Sequence, residues 1–109
     1  WQTLAAEHHT HLLVTDGSRG WTLATPDGEV TSEPAVVVDV VDAVGAGDCF
    51  GGTYIAFVDA GRSPVDAARL AGASAALACA TAGPRGCPTR DELDSFTATL
   101  TPHTLLETR

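Results

Sequence analysis

The sequence predicts an α/β protein in which short strands come first and three helices follow. Three features carry this expectation. Apolar and β-branched runs at Leu12–Thr15, residues 21–25 and Val30–Glu33 are separated by turn-forming clusters. A further apolar run, residues 35–41, feeds a glycine-rich stretch that opens onto a helical pattern. Beyond Arg62 the chain is dominated by alanine and by residues that cap and propagate helices.

Residues 1–11 read as the end of a helix running into a loop. Leu12–Thr15 is a short strand, closed by Asp16-Gly17-Ser18-Arg19-Gly20. The strand at 21–25 ends in Pro26-Asp27-Gly28-Glu29, all turn-favouring residues, and Val30–Glu33 returns as its hairpin partner. Pro34 introduces residues 35–41, expected as a strand because they are apolar and rich in valine. After the glycine-rich stretch, residues 53–60 read as a helix. Ser63-Pro64-Val65-Asp66 then places an N-cap serine, a proline at the first helical position and an acid three residues past the cap. The helix it starts runs to about Ala80. Nearly all its residues are small, so it is expected to be buried and closely packed. Gly83-Pro84-Arg85-Gly86-Cys87-Pro88 interrupts the pattern. Thr89-Arg90-Asp91-Glu92 is a capping box for a last helix with Leu93, Phe96 and Leu100 on one face.

The 109 residues suffice for one small domain with a modest core. With 14 acidic and 6 basic residues the formal net charge is −8. That balance argues against a nucleic-acid or anionic-membrane partner, which would call for clustered Lys and Arg. No apolar run approaches the roughly 20 residues of a membrane-spanning helix. Three cysteines, without framework spacing, fit a reducing, cytoplasmic setting better than a disulfide scaffold. The chain lacks Met and begins at Trp1, which reads as a piece of a longer protein. His8, His9 and His11 have only Glu7 as a neighbouring carboxylate, and adjacent histidines rarely share one metal, so they read as a solvated segment.

The chemistry concentrates in Val41-Asp42-Ala43-Val44-Gly45-Ala46-Gly47-Asp48. A helix start offers unpaired N–H groups and the positive end of a dipole, both suited to an anion. Gly45 and Gly47 carry no Cβ and let a ligand approach the backbone closely. Gly45, Ala46 and Gly47 would thus leave backbone donors open to a bound anion. A carboxylate at Asp48 would repel a phosphate at rest, yet suits a base that deprotonates a nucleophile beside it. An ordinary turn followed by a helix-start acid would use the same residues.

Asp42-Ala43-Val44-Gly45-Ala46-Gly47-Asp48 resembles the D-T-x-G-A-G-D signature of the PfkB/ribokinase family of small-molecule kinases, with Ala43 where Thr is usual. Thr15-Asp16-Gly17-Ser18-Arg19-Gly20 is similar to the family's T-x-G-x-x-G segment, with Asp16 where an apolar residue is common. The likeness runs from about residue 12 to about residue 100. It implies a ribokinase-like α/β/α sandwich. Residues 1–109 would be the C-terminal nucleotide-binding portion of a single kinase domain, with the sugar-binding residues and lid upstream.

The resemblance also implies an ATP-dependent phosphotransferase that uses Mg2+ and moves the γ-phosphate to a hydroxyl of a sugar or related small metabolite. Asp48 would be the general base and touch the substrate, with Gly45, Ala46 and Gly47 as the anion hole. Thr15, Gly17, Ser18 and Gly20 would line the ATP pocket. Gly72 would lie beside the adenine, at a position that often carries Asn or His. A monovalent cation such as K+ would sit near Asp42, Val44, Ala78, Thr81, Gly83 and Cys87, and the full-length protein could be a homodimer. Two rivals remain: a nucleotide-binding relic without turnover, and a dinucleotide-binding oxidoreductase domain. The latter lacks its third glycine, because Phe50 occupies that offset.

Overall fold

The computed structural model describes residues 2–41, 43–80 and 88–99. Two compact units divide the chain, Trp1–Ala35 and Val36–Arg109. In the first, helix α1 (Gln2–Glu7) precedes strands β1 (Leu12–Thr15), β2 (Trp21–Ala24) and β3 (Val30–Glu33). They form an antiparallel sheet in the order β1-β2-β3, with Leu13 opposite Leu23 and Thr22 opposite Ser32. Side chains alternate across a strand, so Leu13, Trp21 and Leu23 share one face, on which Trp21 and Leu23 are buried. Val14, Thr22 and Ser32 lie on the other face, where the Thr22 and Ser32 hydroxyls pair at 2.8 Å.

The β2–β3 turn is held by its own side chains. The Thr25 hydroxyl and the Glu29 N–H (3.2 Å) both donate to the Asp27 carboxylate. Hydrogen bonds from Thr25 first, then from the Glu29 backbone, hold the Asp27 carboxyl below its ordinary value. Gly20 opens β2 at a φ of 100°, and a Cβ there would fall 1.9 Å from the Glu33 carbonyl oxygen. Glycine at this position is therefore required by the sheet itself.

The second unit departs from the expectation at its start. Residues 35–41 form no strand, and Val37 is 96% exposed. An apolar run permits a strand, but a ladder needs a neighbour. Among the described residues none pairs with this segment, and the Val41 N–H instead donates to the Cys79 carbonyl at 2.7 Å. Helix α2 (Ala46–Asp59) begins at Ala46 rather than at residue 53. Gly51 and Gly52 each disfavour a helix by about 1 kcal/mol relative to alanine. Burial of Cys49, Phe50, Tyr54 and Phe57 along one side overrides that local preference.

Helix α3 (Pro64–Cys79) starts as expected, with the Ser63 hydroxyl accepting the Asp66 N–H at 3.2 Å. Its buried face is Ala67, Ala68, Ala71, Ala73, Ser74 and Ala76, and α2 is its principal neighbour. Helix α4 (Arg90–Thr97) opens with a complete capping box: Thr89 Oγ1 accepts the Glu92 N–H at 3.1 Å and Glu92 Oε1 the Thr89 N–H at 2.8 Å. Leu93 is buried and α4 packs on α3, while the Arg90 guanidinium lies 4.9 Å from the Phe57 ring centre on α2. The expected break at 83–87 and Leu100 lie outside the described residues. Among the described residues no helix is long and apolar enough to cross a membrane.

Two outcomes follow from the first unit. Gly17 also has a positive φ, but a Cβ there meets nothing within 4 Å. In urea unfolding, Gly17→Ala should cost about 1 kcal/mol and Gly20→Ala at least about 3 kcal/mol; equal costs would contradict the close approach at Glu33. Because the Asp27 carboxyl is depressed in the folded chain, its contribution is complete above the ordinary carboxylate value and is lost as pH falls through the folded one. An NMR titration should give Asp27 a midpoint below 3.8, and Asp27→Asn should remove that acid limb from the hairpin's stability.

Candidate functional site

The start of α2 is shaped by Gly45. Its φ of 83° and ψ of −2° are left-handed, a conformation that costs a residue with a Cβ roughly 1–2 kcal/mol. The turn ahead of the helix is closed by the Ala46 N–H donating to the Ala43 carbonyl at 3.3 Å. The first i→i−4 bond of the helix runs from the Cys49 N–H to the Gly45 carbonyl at 3.0 Å. The amides of Gly47 and Asp48 therefore lie ahead of the helical ladder, at the positive end of the dipole. A Cβ built at Gly45 or Gly47 would meet nothing within 4 Å, so the space beside this turn is open.

Packing decides where Asp48 goes. Cys49 and Phe50 are buried at 1% and 5% exposure, which turns the preceding residue outward. Asp48 is exposed, on the same face as Gly52, Ile55 and Asp59 at helical spacing. One helical turn thus combines open amides with a solvent-facing carboxylate. That arrangement can bind an anion and can accept a proton beside it.

Two ties hold this helix start against α3. Ser74, 1% exposed, accepts the Thr53 hydroxyl at 3.1 Å and pairs with Cys49 Sγ at 3.1 Å. The Val41 N–H bond to the Cys79 carbonyl fixes the segment entering the turn to the end of α3. Sequence reasoning passed over Ser74. The available signal was its standing as the one hydroxyl in the alanine-rich stretch 71–80.

In the first unit Thr15 ends β1, and Asp16 to Gly20 form a tight turn. The Asp16 N–H donates to the Gly20 carbonyl at 2.9 Å and the Gly20 N–H to the Gly17 carbonyl at 3.1 Å. Asp16 and Arg19 approach to 3.8 Å as an exposed ion pair. A groove of about 550 Å³ beside this turn is lined by Val14, Thr15, Asp16, Arg19, Gly20, Trp21, Thr22, Ser32, Glu33 and Pro34. Its size falls within the range of small-molecule sites.

The turn brings Thr15, Gly17 and Gly20 together, as the α2 start brings Gly45, Ala46, Gly47 and Asp48 together. Gly72 lies half-buried midway along α3. Of the six residues expected around a monovalent cation, Val44 is exposed in the turn before α2 and Ala78 sits in the last turn of α3. Asp42, Thr81, Gly83 and Cys87 lie outside the described residues. Among the described residues no three His, Cys, Asp or Glu side chains gather to hold a metal, and His8, His9 and His11 are exposed.

An antiparallel meander followed by helices, the first entered through a glycine turn, defines a ribokinase-like α/β fold. Solved ribokinases and related kinases match it at TM-scores of 0.70 to 0.78. The chain belongs to the pfkB family of carbohydrate kinases, whose family model matches residues 1–91.

Among curated relatives, the bifunctional protein HldE of Nitrobacter winogradskyi is 44% identical over 72 residues, 66% of this chain and 15% of that protein. The 1-phosphofructokinase of Haloferax volcanii is 36% identical over 96 residues, 88% of this chain and 31% of that one. The Arabidopsis thaliana ribokinase solved with ribose and ATP superposes at a TM-score of 0.76 with 26% identity, covering 84% of this chain and 30% of that one. The chain thus spans less than a third of the length of each.

Gly47 has an ordinary φ within α2 and open space beside it, so the fold does not demand a glycine there. Gly47→Ala should leave the protein as stable as wild type or more stable by up to about 1 kcal/mol. It should weaken ATP binding, followed by calorimetry, at least about tenfold if a phosphate rests against this amide. Unchanged ATP affinity would place the phosphates elsewhere.

Proposed function

We propose that the protein transfers the γ-phosphate of ATP to a hydroxyl of a sugar or related small metabolite, with Asp48 as general base. The observation that carries this reading is the left-handed turn at Gly45, which puts open amides and the exposed Asp48 carboxylate on one helical turn. Family membership supplies the reaction class, and the Arabidopsis ribokinase, solved with ribose and ATP, supplies the substrate chemistry.

In this mechanism the Asp48 carboxylate accepts the proton of the substrate hydroxyl as its oxygen bonds to the γ-phosphorus. The bond from that phosphorus to the β–γ bridging oxygen breaks, and ADP leaves. Backbone N–H groups of Gly45, Ala46 and Gly47 stabilise the charge on the equatorial phosphate oxygens. The Ala46 amide would share its proton with the Ala43 carbonyl, whose 3.3 Å bond is long enough to permit it. Thr15, Gly17, Ser18 and Gly20 hold the nucleotide, with Gly72 beside the base. A glycine there makes no side-chain hydrogen bond to adenine, so the base is held by shape.

Mg2+ would reach the site on the triphosphate of ATP. Bound with the nucleotide, it would neutralise charge on the phosphate oxygens. A K+ site would use backbone carbonyls near Val44 and Ala78, and such a cation would steady the turn that carries the anion hole.

The test is ADP release by the intact protein over a panel of sugars and sugar phosphates, wild type against Asp48→Asn. Asp48→Asn should keep ATP affinity within about threefold and lose about 10²–10⁴ in turnover. ATP binding with no turnover of any sugar by wild type would make the protein a nucleotide-binding relic. Equal turnover by both forms would remove Asp48 from the mechanism.

A further inference from the structure

We infer that Ser74 is a positioning residue for the start of α2 and, through Cys49, for Asp48; the inference rests on the reading of Asp48 as the base and extends it. Helix α2 begins without a side-chain cap, with only the acidic Asp48 of its first turn to favour the dipole locally. Its cap is Gly45, which has no side chain to bind a free amide, and Gly51-Gly52 follow within the next turn. What holds the first turn comes from across the helix pair.

Ser74 sits at 1% exposure where two side chains of α2, one turn apart, converge on it. Thr53 donates its hydroxyl to Ser74 Oγ at 3.1 Å, and Cys49 Sγ lies 3.1 Å from the same oxygen. With the Thr53 proton accepted, Ser74 keeps its own proton and a second lone pair for the cysteine sulfur. The rest of the buried α3 face is alanine, namely Ala67, Ala68, Ala71, Ala73 and Ala76. Methyl groups pack closely but carry no hydrogen bonds, so they restrain helix rotation and slide less sharply than a directional tie does. Two hydrogen bonds from positions i and i+4 to a single oxygen fix both.

Cys49 directly follows Asp48, and successive helical residues are turned by about 100°. Holding the Cys49 sulfur inward therefore sets the direction in which the Asp48 carboxylate leaves the helix. Without the tie, the first turn can rock about its glycine cap, and a base displaced by about 1 Å can lose up to 10²-fold in rate.

The experiment compares Ser74→Ala and the near-isosteric Thr53→Val, which cuts the tie from the other helix, in the intact protein. Leu93→Ala, in the α3–α4 contact, is the control for a general loss of stability. In both tie variants, amides of residues 46–50 should exchange with deuterium at least about tenfold faster than in wild type, with smaller changes in residues 54–59. Turnover per folded molecule should fall about tenfold with the KM for ATP within twofold.

Leu93→Ala should lower the unfolding midpoint and leave kcat in place. The inference is overturned if exchange at 46–50 is unchanged, or if the tie variants behave like Leu93→Ala. Should Ser74→Ala not fold, Thr53→Val decides alone. Should wild type transfer no phosphate, the kinase reading fails and the exchange pattern still decides whether Ser74 sets the helix start.

Discussion

The left-handed backbone at Gly45 is the constraint on which the rest of this structure turns. It lets the chain, held at the Val41 N–H to the end of α3, enter α2 directly at Ala46. Because the cap is a glycine, no side chain covers the leading amides of the helix. A serine or aspartate cap would have stabilised the helix by about 1 kcal/mol and covered a leading amide with its own oxygen. Local stability and an open helix start are in conflict here, and the chain favours the open start.

That choice moves the stabilisation of α2 onto its packing. The helix carries an uncapped end and two adjacent glycines, yet runs from Ala46 to Asp59 because Cys49, Phe50, Tyr54 and Phe57 are buried along one side. Small residues on α3 let the two helices approach closely. Arg62 and Arg90 each place a guanidinium near the Phe57 ring, at 5.8 and 4.9 Å, and cover the far end of the same helix. The site end of α2 is held by directional bonds at Ser74, and the far end by aromatic and cationic contact.

Features determined by a few neighbouring residues were legible in the sequence. The caps at Ser63 and Thr89 and the turn around Asp27 and Gly28 depend on chemistry within four residues, and each formed where expected. The glycine turn at Gly45 was visible for the same reason. Features set by distant partners were not. Residues 35–41 had the composition of a strand but no neighbour to pair with among the described residues. The glycine pair at 51 and 52 hid the true start of α2, since the burial that overrides it comes from other helices. Ser74 meets Thr53 and Cys49, which lie 21 and 25 positions away in sequence, and nothing in a local window reports that.

The chain belongs to the pfkB family of carbohydrate kinases, and the mechanism proposed for it rests on the geometry of one helical turn. The central claim is that phosphate meets the backbone at the start of α2. The most direct measurement is an amide NMR titration of the intact protein with Mg2+ and a non-hydrolysable ATP analogue. The account predicts that Gly45, Ala46, Gly47 and Asp48 show the largest shift changes in the second unit, saturating together with nucleotide binding. Saturable binding that leaves those four amides unmoved would contradict it.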